Sequence, residues 1–287
     1  MNAMKDTAEK PRQILGLIGS PRRLGNSELI TKEISRHITG PHTLRLVRLP
    51  SLNILPCKAC YGCIMDNPCP QQDDMGLILE ELVRADAVIV ASPVYFLGAN
   101  AIFKKILDRG FLFFDILQRV YKKPSVLVNL YGMKGRIGAA PHTLLTFASF
   151  LGLDVKASVD IHAALPGEVI MNPRNINVAG RLGRMLFSKK KAGAGAGAGC
   201  PFCGCEFVRM KRRTFICTLC HGEFSIDKDG VRARIKEGDI FGTPEHRLLH
   251  KEWLKGMKDR FFDSRKEILR AALQYKDVGE WVTPEKV

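Results

Sequence analysis

Gln13-Ile-Leu-Gly-Leu-Ile-Gly-Ser20-Pro-Arg22-Arg23-Leu-Gly25-Asn26-Ser27 is the stretch whose reading decides the fold. Gln13 to Gly19 is a short apolar run closed by glycine, which suits a parallel strand buried on both faces. From Glu28 to about His37 the sequence reads as a helix. Strand, tight turn and helix N-terminus together form an anion site. The first backbone N–H groups of a helix lack partners within it, and the helix dipole favours negative charge there. Ser20, Asn26 and Ser27 add side-chain donors, and Arg22 or Arg23 can neutralise a phosphate. No Gly-Lys-Ser/Thr follows, so this is not a Walker loop. The absence of G-x-G-x-x-G disfavours a dinucleotide fold. The competing reading is an ordinary helix capped by Asn26 or Ser27.

Working outward, strand and helix patterns alternate. Thr43 to Leu49 reads as a strand, Asp74 to Arg84 as a helix and Ala87 to Ala91 as a fully apolar strand. A helix from about Asn100 to Gly110, a strand from Ser125 to Leu130, a helix from Thr143 to Leu151 and a fifth strand from Val155 to Ile161 complete the series. Such alternation predicts an α/β, doubly wound parallel five-stranded sheet with helices on both faces. Ligands of these sheets sit beyond the carboxyl ends of the strands. Ser20–Ser27, Ser92–Gly98 and Leu130–Gly132 all fall at those ends.

Between the second strand and the next helix lies Cys57-Lys-Ala-Cys60-Tyr-Gly-Cys63-Ile-Met-Asp-Asn-Pro-Cys69-Pro70. Its spacing, C-x2-C-x2-C-x5-C-P, opens like the ferredoxin run and lets four thiols turn toward one centre, as a 4Fe-4S cluster requires. Zinc is the alternative, although it prefers two separated C-x2-C knuckles. Buried thiols or a disulfide pair are the bland readings, disfavoured by four cysteines in so short a loop and no export signal.

The first loop, the cysteine loop leading into Asp73-Asp74-Met75, and Ala91-Ser-Pro-Val-Tyr-Phe96 occur in that order. Together they resemble the flavodoxin-like NADPH-dependent FMN reductase superfamily and, within it, the iron–sulfur flavoproteins, over about Gln13 to His162. The resemblance implies FMN as cofactor. Ser20, Arg22, Arg23, Gly25, Asn26 and Ser27 would hold its phosphate, and Pro93, Val94, Tyr95 and Phe96 would border its ring, with Tyr131 and Gly132 closing the site. It implies no general acid or base, because the flavin itself carries the chemistry. It also implies a homo-oligomer with the flavin at a subunit interface.

After the fifth strand the resemblance fades. Val178 to Phe187 is weakly amphipathic and runs into Lys189-Lys190-Lys191, a solvated helix end by default. Ala192 to Gly199 (AGAGAGAG) reads as a flexible linker. It divides a flavodoxin-like domain (1–191) from a module at 200–287, and deletion from Ala192 onward is expected to leave a folded core. Cys200-Pro-Phe-Cys203 and Cys217-Thr-Leu-Cys220 are two C-x2-C knuckles, the pattern of a tetrahedral metal site in a small ribbon. The module resembles a zinc ribbon and also a rubredoxin-like iron site. His221 stands where rubredoxin knuckles carry glycine, which favours zinc over iron. Cys205 is left over as a spare thiol. Glu245 to Gln274 reads as a long helix whose Leu249, Trp253, Met257 and Phe261 form a stripe facing a domain or a dimer partner.

Nine cysteines, an ordinary apolar fraction of 46% and a polar N-terminus place the chain among cytoplasmic proteins with metal-ligating thiols. No run is long enough to span a membrane. The net charge of +15 attracts acidic partners. The expected function is an FMN-dependent iron–sulfur oxidoreductase linking a one-electron donor such as an acidic ferredoxin to a two-electron acceptor. The alternatives are an NAD(P)H-dependent FMN or quinone reductase and a redox-sensing nucleic-acid-binding regulator using the Arg209-Met-Lys-Arg-Arg213 patch; nucleic acid is the disfavoured partner.

Overall fold

A computed structural model describes residues 10–188, 199–238, 243–276 and 278. The lysine run at 189–191, most of the Ala/Gly linker and Trp281 lie outside the described residues. The first half is built from β1 (Arg12–Ile18), α1 (Asn26–Arg36), β2 (His42–Arg48), α2 (Met75–Arg84), β3 (Ala87–Tyr95), β4 (Gly98–Ala99), α3 (Ile102–Leu107), α4 (Leu117–Val120), β5 (Pro124–Tyr131), α5 (Ala140–Leu151), β6 (Asp154–His162) and α6 (Pro173–Met185). β2, β1, β3, β5 and β6 pair in that order, all parallel, the flavodoxin-like doubly wound arrangement.

Strand periodicity explains the two helix layers. Leu15 and Leu17 of β1, Val88 and Val90 of β3 and Leu127 of β5 point to one face, where they meet Ile78 and Leu82 of α2, Phe103 of α3 and Phe147 of α5. The alternate residues Ile14, Ile89, Ala91, Val126 and Val128 point to the other, against Ile30 and Ile34 of α1 and Leu182 of α6. Central strands covered on both faces must be apolar at every position, hence the uninterrupted runs. The residue after β1 is Gly19, where a Cβ would lie 2.6 Å from the Phe103 ring.

Two features of β3 differ from expectation. The strand continues past Ala91 to Tyr95 and turns back through Phe96 and Leu97, with φ of 47° and 65°, to pair Tyr95 with Gly98. Ser92–Gly98 is therefore a two-residue hairpin with a primed-type turn, not an irregular loop.

Beyond the first domain, β7 (Val208–Lys211), β8 (Thr214–Cys217), β9 (Glu223–Ile226) and β10 (Arg232–Lys236) form an antiparallel meander. α7 (Pro244–Leu273) follows, with the Thr243 hydroxyl accepting from the His246 N–H as its N-cap. None of the helices among the described residues is long and apolar enough to cross a membrane.

The ribbon does not stand apart from the parallel sheet. Its core of Cys205, Leu219 and Phe224 includes Leu145 of α5, and Phe207 stacks on His142 of α5 at 5.0 Å. α7 lies against the first domain through charged residues: Arg247 is 3% and Lys251 7% exposed, whereas Leu249 and Trp253 are 66% and 55% exposed. Of the two expectations for this stripe, packing on a domain of the same chain is not what Leu249, Trp253 and Phe261 do. The buried side of α7 is cationic because it meets carbonyls, rings and a carboxylate rather than an apolar face.

The loop after β1 is stapled from β2. Arg48 donates to the carbonyls of Ser20 and Arg22 and to the carboxylate of Glu28, which also accepts from Lys32 and from the Leu24 N–H. Burial pushes the Glu28 carboxyl up, but the hydrogen bonds from Lys32, Arg48 and Leu24 outweigh it and hold it down at about 2, against an ordinary 4.5. A lowered carboxyl stabilises the fold above its unfolded value and loses that contribution as pH falls through the folded one. Glu28→Gln is therefore expected to cost about 3 kcal/mol at pH 7. Urea unfolding at a series of pH values checks this: the gap to wild type should close as pH falls from about 4.5 toward about 2.

Candidate functional site

Gly25, in extended conformation, is the N-cap of α1, and no side chain caps the helix. The competing reading of an Asn26 or Ser27 cap does not hold, since both lie inside the first turn. Ser27 is 1% exposed, and its Oγ has no hydrogen-bond partner among the described residues. An orphaned hydroxyl beside uncapped helix N–H groups fits an anion such as a phosphate. Ser20 is buried at the same turn, its Oγ accepting from the Arg22 N–H, while the side chains of Arg22 and Arg23 are exposed over the loop. By holding the Ser20 and Arg22 carbonyls, Arg48 fixes the loop.

Asn26 corrects an expectation. Its side-chain amide donates to the carbonyls of Ala163 and Leu165, and its Oδ1 accepts from the Val169 N–H. The side chain clamps α1 to the segment after β6 and is not available as a phosphate donor.

The hairpin after β3 carries Pro93 and Val94, both partly buried, and Tyr95 and Phe96, both exposed. Ser92 Oγ accepts from the Asn100 N–H and fixes the base of the hairpin. The Ala139 N–H donates to the Leu97 carbonyl, tying the hairpin to the loop that follows Tyr131 and Gly132. Tyr131 meets His162 edge to face at 5.5 Å, and the Gly132 carbonyl lies 3.0 Å from His162 Nε2. In the loops at these strand ends Leu24, Phe96, Leu97, Met133 and Leu165 are exposed apolar residues.

The cysteine loop is closed at its base. Asp74 exchanges hydrogen bonds with the Asn53 backbone, its N–H donating and its carboxylate accepting, and the Asp73 carboxylate accepts from the N–H groups of Leu55 and Met75. Ala59, Tyr61 and Asp66 take positive φ, bending the chain so that the thiols face one concavity. Cys57 and Cys60 are exposed, Cys63 and Cys69 half-buried. Burial, with the charges of the other three thiols, pushes the Cys63 thiol up. The Ala59 N–H donates to Cys57 Sγ at 3.4 Å and Arg109 donates to Cys69 Sγ at 3.4 Å. Arg109 also forms a buried ion pair with Asp73, whose carboxyl burial would raise but hydrogen bonds from Leu55 and Arg109 bring below its usual value. Four thiols lining one concavity, N–H···S bonds and a buried cation suit an anionic iron–sulfur centre.

The second cysteine set is tighter. Cys200, Cys203, Cys217 and Cys220 have their sulfurs within 4.8 Å of one another, with Cys200···Cys220 at 3.7 Å and Cys203···Cys217 at 3.5 Å. A tetrahedral ion with metal–sulfur bonds of about 2.3 Å sets the edge at about 3.8 Å, so these thiols fit one metal ion. Among the described residues the Cys57–Cys69 thiols form no such close set. Cys205, expected to be spare, is fully buried between Phe207 and His142. His221 takes positive φ, is exposed and is not among the ligand atoms.

Sequence reasoning missed Arg48, Arg109 and the Asp66–Lys251 contact. Arg48 had a signal, since it is the last residue of a strand at the ligand-bearing edge. Arg109 and Lys251 had none, because their partners lie 36 and 185 positions away.

Arg109→Leu leaves Asp73 buried and unpaired, and an expected loss of about 3–5 kcal/mol follows. Denaturant unfolding of the metal-free protein measures it, and Asp73→Asn added to Arg109→Leu should recover part of the loss.

The family model for NADPH-dependent FMN reductase matches residues 12–164. An iron–sulfur flavoprotein of Methanocaldococcus jannaschii is 36% identical over 100 residues, 34% of this chain and 51% of that protein. One of Methanosarcina thermophila is 34% identical over 131 residues, 45% of this chain and 61% of that protein. The chain spans about half the length of the first curated relatives it matches. A solved flavone reductase superposes with a TM-score of 0.66 over 95% of this chain and 100% of its own, at 18% identity, which shows a shared fold. With more than half of its residues matched and its sequence similarity running to iron–sulfur flavoproteins, the chain belongs to the NADPH-dependent FMN reductase family.

Proposed function

We propose that this chain is an FMN-dependent oxidoreductase in which a 4Fe-4S cluster held by Cys57, Cys60, Cys63 and Cys69 exchanges electrons with FMN. The observation that carries this reading is the common edge. The uncapped α1 N-terminus with its orphaned Ser27 hydroxyl and the four-thiol loop both rise from the carboxyl ends of adjacent strands, and Arg48 at the end of β2 bonds the loop after β1. FMN supplies chemistry in either two-electron or one-electron steps, and an iron–sulfur cluster carries one electron at a time. In this reading the backbone of residues 25–27 and the Ser27 hydroxyl bind the phosphate. The hairpin at 93–96 borders the ring and excludes water from one side, and Arg109 offsets negative charge at the thiols. Such a pairing links a one-electron donor to a two-electron acceptor. The net charge of +15 supports an acidic redox protein of the ferredoxin kind as donor.

A second reading rests on the exposed apolar residues Phe96, Leu97 and Met133, which would admit a planar acceptor or a nicotinamide directly. Here the protein acts as an NAD(P)H-dependent FMN or quinone reductase. Anaerobic stopped-flow separates the two: flavin reduction by reduced ferredoxin and not by NADPH or NADH supports the first, and the converse supports the second. For the Cys200–Cys220 site we infer zinc, on the two-knuckle spacing and on His221 in the place of a knuckle glycine. Zinc would make this site a docking or stabilising element. Metal quantitation of protein purified anaerobically decides it, with one zinc and four irons with sulfide per chain expected.

Two variants test the first reading. Ser27→Ala and Arg22→Ala should each weaken FMN binding about tenfold while the fold persists, because each removes a bond to a charged phosphate. Fluorescence titration with FMN measures this, and unchanged affinity in both would refute the phosphate site. Cys60→Ala should abolish iron–sulfur absorbance and its EPR signal while FMN stays bound, and ferredoxin-linked turnover should vanish with it.

A further inference from the structure

Lys251 and Lys255 stand one helical turn apart on α7 and both donate to the carboxylate of Asp66, which lies between Cys63 and Cys69. Lys251 is 7% exposed, and a lysine loses so much hydration on burial that it is kept there only against a partner. Its surroundings come from the first domain. Its ammonium lies 5.9 Å from the Phe114 ring, His250 stacks on Phe111, and Arg247 donates to the Ser149 carbonyl. Asp66 is the residue at which the loop reverses: its φ is +60°, and the next N–H, of Asn67, donates back to the Gly62 carbonyl. The family match ends at residue 164, so this grip on the cysteine loop comes from outside the matched part of the chain.

We propose that α7 is the outer wall of the cysteine site, with Lys251 and Lys255 as positioning residues that hold loop 57–69 in its ligating conformation through Asp66. This rests on the reading of that loop as a 4Fe-4S site. The physical basis is twofold. The loop's base is pinned by Asp73 and Asp74, but after the short 3-10 helix Gly62–Met65 the turn from Asp66 to Cys69 has no strand or helix of its own, and α7 holds it from outside. The two ammonium groups also place positive charge beside an anionic centre, which favours its reduced form.

The full chain is compared as wild type, Lys251→Met/Lys255→Met, Lys251→Arg/Lys255→Arg and Asp66→Asn, with far-UV circular dichroism and FMN content as checks on folding. Hydrogen–deuterium exchange over residues 57–69 is measured on metal-free protein. Iron and sulfide retention against a chelator and the cluster midpoint potential by EPR are measured after anaerobic reconstitution. The methionine pair and Asp66→Asn should exchange about tenfold faster in this loop, the equivalent of ~1.4 kcal/mol, and should lose cluster faster than wild type. The midpoint of the methionine pair should move to more negative potential, while the arginine pair should retain wild-type protection. Unchanged exchange and retention in both the methionine pair and Asp66→Asn would overturn the proposal. If the methionine pair fails to fold, Asp66→Asn, with a side chain 63% exposed, decides alone. Wild-type protein that takes up no iron and sulfide would overturn the cluster reading instead, and exchange in the metal-free protein would still confirm or refute the grip.

Discussion

The buried pair between Arg109 and Asp73 is the contact on which the cysteine loop depends. Asp73 sits where the loop rejoins α2 and already accepts from the backbone of Leu55 and Met75. Arg109 comes from beyond α3, on the far side of the hairpin that borders the anion site. Their side chains are 2% and 1% exposed, so neither charge is solvated and each needs the other. Such pairs contribute little net stability compared with an apolar core. Their worth here is geometric: Arg109 reaches on to Cys69 Sγ, so the residue that closes the loop also faces the thiols.

The same economy governs the anion site. A helix that begins with an uncapped turn and an unsatisfied buried hydroxyl is less stable than one with a Ser or Asp cap. Glu28 and Arg48 compensate from beneath, since the carboxylate and guanidinium bind the loop and leave its outer surface for a ligand. Asn26 adds a clamp to the segment after β6. Asn26 and Ser27, which sequence inspection had placed in one group, thus differ: the first is bound to the segment after β6, and the second keeps an unpartnered hydroxyl.

The C-terminal segment packs against the first domain. The ribbon shares Leu145 and His142 with α5, and α7 buries Arg247 and Lys251 against the first domain. Deleting residues 192–287 would expose these apolar and charged contacts and remove the partners of Asp66. The family match covers residues 12–164, and the solved fold that superposes on this chain does so over 95% of it.

By itself the sequence determined the parallel sheet, the loops at the carboxyl ends of its strands and both cysteine sets. Those signals are local: apolar runs of strand length, glycine at a forced close approach, and thiols at ligand spacing within one loop or one hairpin. It could not show that Asn26 is spent on carbonyls 137 and 139 positions away, or that Arg109 completes the cysteine site. Nor could it show that α7 turns Lys251 inward and Leu249 and Trp253 outward. A helical stripe says which residues share a face, but which face is buried depends on what chemistry waits on the other side. Here that was Asp66, a carboxylate held out by a left-handed turn, and only the tertiary structure brought it within reach of Lys251.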